Sequence, residues 1–196
     1  MTAELDLLVT AVVDRLADPT LAESPADFPR SRETASHPGL YAWWADDPGI
    51  HDLQAVLGEP VRPLIYAGQA GASSSRAAKP SGATLESRIR GNHIGGNTRS
   101  STFRKTLASV LQEPLGLTMG ASALDRPSNE RLSGWVADHL RVVIAPVDDP
   151  EVLHQIEAAV LVELDPPLNL RGVTSTLLRR EVARLRTSWA GQVLPG

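Results

Sequence analysis

Hydrophobic and polar positions follow a helical period at the start of the chain. Apolar residues recur at helical spacing from Leu5 to Leu16, with polar residues between them. This pattern predicts an amphipathic helix that ends near Asp18 and Pro19. We expect the helix to pack on the domain, and a dimer contact is the alternative. Four prolines within residues 19–38 then predict an extended connector.

Three short apolar runs further along the chain predict β-strands. Residues 39–44 (GLYAWW) and 64–68 (LIYAG) lie between proline and glycine turn formers, and each run contains one tyrosine. The third run, 140–146 (LRVVIAP), is rich in β-branched residues and is stopped by Pro146. All three strands are therefore expected to be short.

Helices are predicted between and after these strands, and residues 92–101 between two of them predict a polar, glycine-rich loop. The helices run from Thr84 as N-cap through Arg90, over 102–112 with Ser100 or Ser101 as cap, from Ser128 to about Asp138, and from Asp149 and Pro150 to about Leu164. Together the elements predict an α+β fold, with a small, mainly antiparallel three-stranded sheet flanked by helices. We expect one domain over 38–171, with helical extensions at 1–37 and 172–196.

Composition narrows the class of protein. A length of 196 residues with 42% hydrophobic residues is typical of one globular domain with a substantial core. The chain has no cysteine, which excludes disulfides and thiolate metal sites. No apolar run is long enough to span a bilayer, and the acidic N-terminus lacks the features of a secretory signal. A cytoplasmic location is the simplest expectation.

Charge is distributed unevenly along the chain. The net charge is −4, yet residues 69–105 hold seven bases and one acid, while residues 1–60 hold eleven acids and three bases. A basic segment attracts phosphate through its local field, so we expect nucleic-acid contacts there. The expected contact residues are Arg76, Lys79, Arg90, Arg99, Arg104 and Lys105. A second basic stretch, 171–186, is interpreted either as a further contact or as a solvated charged face.

The order of these elements resembles the GIY-YIG nuclease superfamily. Residues 39–41 (GLY) and 66–68 (YAG) correspond to the two tripeptides that name the family. The family's catalytic arginine follows in a pattern of leucine, two polar residues, arginine and an aliphatic residue, which Arg88 matches. Glu157 and Asn169 match the family's metal-binding glutamate and later asparagine, twelve positions apart.

The resemblance implies a role for each of these residues. Tyr41 would act as general base or water orienter, and Tyr66 would bind water or phosphate beside it. Arg88 would contact the scissile phosphate through charge-assisted hydrogen bonds. Glu157 would hold Mg²⁺ or Mn²⁺, since magnesium sites need only one or two carboxylates. Asn169 would either orient Glu157 or tie down the loop after its helix.

His93 departs from the family pattern. Several relatives have a histidine four residues after the arginine, whereas here the separation is five and Asn92 occupies the matching position. A part in proton transfer, a phosphate contact and no role at all remain open for this histidine.

The leading hypothesis is a metal-dependent endonuclease that cuts double-stranded DNA, with a restriction-like setting and a homodimer considered. The alternatives are a structure-specific repair or mobile-element nuclease, a nuclease for RNA, and a non-catalytic nucleic-acid-binding module on the same fold. A protein-interaction domain with acidic surfaces is a third class. The carboxylate of Glu157 disfavours pure binding, because it repels phosphate.

Overall fold

The computed structural model describes residues 3–71 and 82–191. Three antiparallel strands, β1 (Gly39–Ala45), β2 (Leu64–Ala70) and β3 (Leu140–Pro146), form one sheet in the order β2-β1-β3. The central strand β1 pairs Tyr41 with Gly68 on one side and with Ile144 on the other. The predicted three-stranded antiparallel sheet is confirmed.

Helices cover both faces of this sheet. They are α1 (Ala3–Leu16), α2 (Arg32–Ala35), α3 (Asp47–Leu57), a π-helix (Ser87–Ile94), α4 (Thr102–Val110), α5 (Arg126–His139), α6 (Pro150–Leu164) and α7 (Leu177–Gly191), with a 3-10 turn at Pro19–Leu21. Alternation along β1 separates two cores, since Leu40 and Ala42 pack with α1 and α6 while Tyr41 and Trp43 face the remaining long helices. The α+β class with terminal helices is confirmed.

The N-terminal helix packs on the domain, as expected. Val9, Val12 and Leu16 are buried against the α6 side of the sheet, and Arg15 Nε donates to the Ile144 carbonyl at 2.7 Å. Among the described helices, none is long and apolar enough to cross a membrane.

Capping explains where several elements begin. Asp149 accepts hydrogen bonds from the first backbone amides of α6, and Ser101 caps α4, both as predicted. The predicted start of α5 at Ser128 is wrong. The helix begins at Arg126, because Asp125 accepts from the Ser128 amide and Pro127 favours the first helical turn.

Two segments are more helical than the sequence reading predicted. The gap between the first two strands contains α3, which Asp46 caps and Gly58, with a φ of 66°, ends in the left-handed conformation. The connector before β1 is not simply extended. It includes the 3-10 turn and α2, whose N-caps are Asp18 and Ser31. In contrast α4 is shorter than predicted and ends at Val110.

Candidate active site

One cavity of about 610 Å³ collects the predicted catalytic residues. Its lining includes Tyr41 from β1, Tyr66 from β2, Arg88 and His93 from the π-helix, Glu157 from α6, and Asn169 from the segment after α6. Residues separated by up to 128 positions in sequence therefore converge at one end of the sheet. A concave site with several convergent polar groups is the usual form of an active site.

The Tyr41 side chain runs across the neighbouring strand. Gly68 is paired with Tyr41, and a Cβ atom at Gly68 would lie 2.5 Å from the Tyr41 hydroxyl oxygen. Only glycine leaves that space. Gly68, the glycine of the second tripeptide, is therefore required on steric grounds, because it lets Tyr41 of the first tripeptide reach the cavity.

A π-helix places His93 in the site. Its hydrogen bonds join residues five apart, as in the bond from the Gly95 amide to the Arg90 carbonyl at 2.9 Å, so residues five apart lie about one turn from each other. Arg88 and His93 are five apart, and both line the cavity. The predicted loop over 92–101 is therefore wrong at its start, because residues 92–94 complete the π-helix. The wider turn of the π-helix therefore accommodates a separation of five residues between Arg88 and His93, one more than in several relatives.

His93 links the first tyrosine to the next helix. Its Nε2 lies 2.7 Å from the Tyr41 hydroxyl oxygen, and its Nδ1 lies 2.8 Å from the Ser101 hydroxyl oxygen. In the tautomer with hydrogen on Nδ1, His93 donates a hydrogen bond to the Ser101 hydroxyl and accepts one from the Tyr41 hydroxyl at Nε2. The same serine caps α4, so the start of that helix fixes the orientation of the imidazole ring.

Burial sets the protonation of this pair. Burial, together with the charges of Arg88 and Arg104, lowers the pKa of His93 to about 3. Burial also raises the pKa of Tyr41 well above its usual value, although Arg88 opposes that shift. At neutral pH the pair is therefore a neutral phenol and a neutral imidazole.

Arg88 and Tyr66 lie beside this pair. Arg88 Nε is buried and has no hydrogen-bond partner within residues 3–71 and 82–191. Burial raises the pKa of Tyr66, whereas the guanidinium groups of Arg186 and Arg88 oppose the rise. A buried donor without a partner, such as Arg88 Nε, is energetically costly. An anion that enters the cavity could accept a hydrogen bond from it.

Glu157 is the carboxylate of the cavity. It is half-buried on α6, burial raises its pKa, and His154 partly opposes that shift. The described residues form no cluster of three or more metal-ligating side chains. A single desolvated carboxylate is nevertheless compatible with Mg²⁺, which keeps most of its waters. These residues therefore fit a divalent cation bound through Glu157.

Asn169 ties the segment after α6 to the edge strand. Its Oδ1 accepts from the Ala67 amide at 3.0 Å, and its Nδ2 donates to the Ala67 carbonyl at 2.8 Å. The Leu168 amide adds a bond to the Ile65 carbonyl at 2.9 Å. These bonds satisfy the free edge of β2 next to Tyr66. Of the two roles considered for Asn169, this geometry favours holding the loop.

A model of the GIY-YIG catalytic domain matches residues 39–188, well over half of the chain, including all six predicted catalytic residues. The chain belongs to the GIY-YIG nuclease superfamily. Members are metal-dependent phosphodiesterases, so this GIY-YIG protein is a nuclease and its substrate is a nucleic acid. Comparisons with curated proteins and with solved structures find no match.

One predicted nucleic-acid contact of the GIY-YIG domain is contradicted. Arg104 is fully buried, and its guanidinium donates to the His93 carbonyl at 2.9 Å, to Asn129 Oδ1 at 2.9 Å and to Ser133 Oγ at 2.9 Å. The prediction assumed one apolar face on α4, but other elements pack around most of this helix. Arg104 instead joins the π-helix to α5.

The other predicted contacts have different surroundings. Arg76 and Lys79 lie outside the described residues. Arg90 is exposed but donates to the Phe28 carbonyl at 2.6 Å, which fixes its side chain to the connector. Arg99 is exposed and Lys105 is half-buried. For these residues, contact with nucleic acid stays a prediction.

Replacing Arg104 by alanine should destabilise the GIY-YIG domain. The change leaves the buried carbonyl group of His93 without its arginine donor and removes the bonds to Asn129 Oδ1 and Ser133 Oγ, so we expect a loss of roughly 2–4 kcal/mol in the free energy of unfolding. Thermal or urea unfolding measures the loss. The control is Lys105→Ala on the same helix, for which we expect less than about 1 kcal/mol. An Arg104→Ala protein of unchanged stability would argue against the buried network.

Two site residues were not predicted. Arg171, which follows α6, and Arg186, on α7, line the same cavity as the catalytic set. The signal was the basic stretch 171–186, which the sequence reading assigned to a terminal tail with two open interpretations. Spacing alone did not indicate that α7 returns to the catalytic cavity.

Proposed function

We propose that this nuclease is an endonuclease that hydrolyses phosphodiester bonds in double-stranded DNA, with Mg²⁺ or Mn²⁺ bound through Glu157. The observation that supports it best is the cavity itself, which brings together the tyrosine–histidine pair, the half-buried carboxylate of Glu157 and Arg88 Nε, a buried donor without a partner among the described residues. This arrangement suits a substrate that brings both a phosphate and a divalent cation. More specifically, we propose a restriction-like role for this endonuclease.

Binding of the scissile phosphate is assigned to Arg88. Its buried Nε has no partner among the described residues, so it can donate to a phosphate oxygen without breaking an existing bond. A guanidinium also offers two parallel donors to the planar edge of a phosphate. A divalent cation, when bound, supplies charge neutralisation for the pentavalent transition state and for the leaving oxygen.

Orientation of the attacking water is assigned to Tyr41. Burial keeps its hydroxyl protonated, so a free phenolate is not available as a base in the absence of ligands. If the hydroxyl donates to His93 Nε2, its oxygen lone pairs are free to accept a hydrogen bond from water. Burial and the charges of Arg88 and Arg104 lower the pKa of His93 to about 3, so the imidazole is a weak proton acceptor. We therefore assign His93 to orienting the Tyr41 hydroxyl, and Tyr41 to orienting the water.

Incubating the protein with supercoiled plasmid and Mg²⁺ or Mn²⁺, with EDTA as control, tests the proposal. We expect metal-dependent conversion to linear DNA, and discrete fragments would support a restriction-like role. Cleavage of branched DNA alone would favour a repair or mobile-element nuclease, and cleavage of RNA alone would exclude a DNA substrate. Salt-dependent binding with no cleavage of any substrate would favour the non-catalytic module.

A further inference from the structure

The C-terminal helix brings a second pair of arginines to the catalytic cavity. Arg186 lies in the third turn of α7, and Arg171 precedes this helix in the segment after α6. Both line the same cavity as Arg88 and Glu157. Neither belongs to the five positions on which the family resemblance rests.

Helical spacing explains why Arg186 points inward. Val182 and Trp189 are buried and mark the face of α7 that packs on the domain. Arg186 lies four residues after the first and three before the second, so it shares that face. Arg180 and Arg184 are exposed on the same helix. The basic helix thus presents one of its arginines to the cavity for a geometric reason.

Arg179 and Arg184 in this stretch already have acidic partners. Arg179 Nη2 lies 2.5 Å from an Asp165 oxygen, and Arg184 Nη2 lies 2.5 Å from a Glu181 oxygen. In the part of the chain that the structure describes, Arg171 and Arg186 form no salt bridge. Their charges are therefore free to act on a ligand.

The surroundings of Arg186 favour an anionic ligand. Burial lowers the pKa of its guanidinium, and the nearby charge of Arg171 lowers it further, although Tyr66 opposes both effects. Arg186 is half-buried and therefore partly desolvated, and the exposed Arg171 adds a second positive charge that repels it at the same wall of the cavity. An anion placed between them would relieve both costs, which gives this wall a preference for phosphate.

The position of Arg186 differs from that of Arg88. Arg88 acts electrostatically on both Tyr41 and Tyr66, whereas the charge of Arg186 acts mainly on Tyr66. Arg186 therefore belongs to the part of the cavity wall that is next to Tyr66. Two separate cationic positions in one cavity match the repeated phosphates of a nucleic-acid strand.

We infer that Arg186 and Arg171 form a second phosphate-binding site, which holds a backbone phosphate next to the scissile phosphate bound by Arg88. The inference rests on the proposed function in that it requires a nucleic-acid strand in the cavity. It assigns strand positioning to α7 and makes Arg186 a substrate-contacting residue of the nuclease.

Equilibrium binding of a fluorescent DNA duplex in EDTA tests this site without any cleavage. We expect Arg186→Gln, which keeps most of the packing stem, to weaken binding by roughly tenfold or more. The slope of log affinity against log salt should fall by about one unit. Arg180→Gln is the matched control, with the same charge change on the same helix, and should weaken binding by less than about threefold.

Two further variants sharpen the comparison. Arg186→Lys keeps the charge and should recover part of the affinity, whereas a role confined to packing would predict no recovery. Arg171→Gln should weaken binding in the same way, and the double variant should lose less than the product of the two losses, since both residues hold one phosphate. Fully independent effects would overturn the shared site. Unfolding midpoints measured for every variant identify losses caused by misfolding.

The outcomes separate this inference from the proposed function. If Arg186→Gln binds as tightly as Arg180→Gln and with an unchanged salt slope, the second phosphate site is wrong, whatever the cleavage assay gives. If the wild type binds DNA but cuts no substrate, the proposed endonuclease fails. The binding comparison still decides the role of Arg186 in that case.

Discussion

Glu157→Gln is expected to reduce metal-dependent cleavage to the level of the EDTA control, while DNA binding stays intact or becomes tighter. Glutamine keeps the shape of the side chain but lacks the charge that a divalent cation requires. It also removes a negative charge that repels the phosphates of the substrate. Cleavage of plasmid and equilibrium binding of a duplex measure the two effects separately.

Glu163→Gln is the matched control for this change. Glu163 is exposed on the same helix, six residues further on, and lies outside the cavity. The control should therefore cut DNA at the wild-type rate, and a Glu157→Gln protein that does the same would remove the metal ligand from this position. Loss of activity in the Glu163 variant instead would move the metal to the other carboxylate.

The shifted pKa of Glu157 adds a test by pH. Because burial raises this pKa, protons compete with the metal at a higher pH than for an ordinary glutamate. The metal concentration for half-maximal cleavage should therefore rise as the pH falls toward the raised pKa. The same shift means that ionisation of Glu157 destabilises the folded protein. The contribution of this group to the free energy of unfolding is fully present below the pKa of Glu157 in the unfolded chain, and it is lost as the pH rises through the higher pKa of the folded state. Glu157→Gln should thus be at least as stable as the wild type at neutral pH.

Much of the fold could be predicted because its signals are local. The nearly continuous burial of β1 follows from the apolar run that contains Tyr41, and the Asp149-Pro150 pair fixes the start of α6. The strands β1 and β2 and the helix α6, which carry Tyr41, Tyr66 and Glu157, were all predicted from such local signals. For these elements local rules were sufficient.

Local rules failed where packing decides the result. Arg104 was assigned to the surface because a helix of mixed polarity usually has one solvent face, yet α4 has neighbours on several sides and buries this arginine in a hydrogen-bond network. His93 was uncertain because it lies five residues after Arg88, where several relatives have a histidine after four, and the wider turn of the π-helix accommodates the longer spacing. Arg186 depends on the path of α7, which no local motif encodes.

The hydroxyl of Tyr41 is expected to matter far more for the rate of cleavage than for binding. Tyr41→Phe keeps the ring that packs in the core and removes the oxygen that contacts His93. If that oxygen orients the attacking water, the rate should fall by roughly 10² or more, the usual scale for losing general-base assistance. DNA affinity should stay close to that of the wild type, because the phosphate contacts are assigned to arginines.

Stability alone cannot distinguish a catalytic from a packing tyrosine at this position. The hydroxyl pairs with a buried histidine, so its removal leaves His93 Nε2 without this partner and should cost about 1 kcal/mol of unfolding free energy under either interpretation. The rate separates them. Single-turnover cleavage with saturating enzyme measures the chemical step free of binding and product release.

Coupling to Arg88 completes the argument for Tyr41. Both residues are assigned to one transition state, so Arg88→Ala and Tyr41→Phe should combine less than additively in the free energy of activation. Strict additivity would place the two residues in separate steps. A Tyr41→Phe rate within about threefold of wild type would leave the tyrosine as a packing residue. A tenfold change in rate corresponds to about 1.4 kcal/mol of transition-state stabilisation, and a threefold change is smaller still. In that case the bonds of His93 to Tyr41 and Ser101 would hold the packing of the site together and would orient no catalytic hydroxyl.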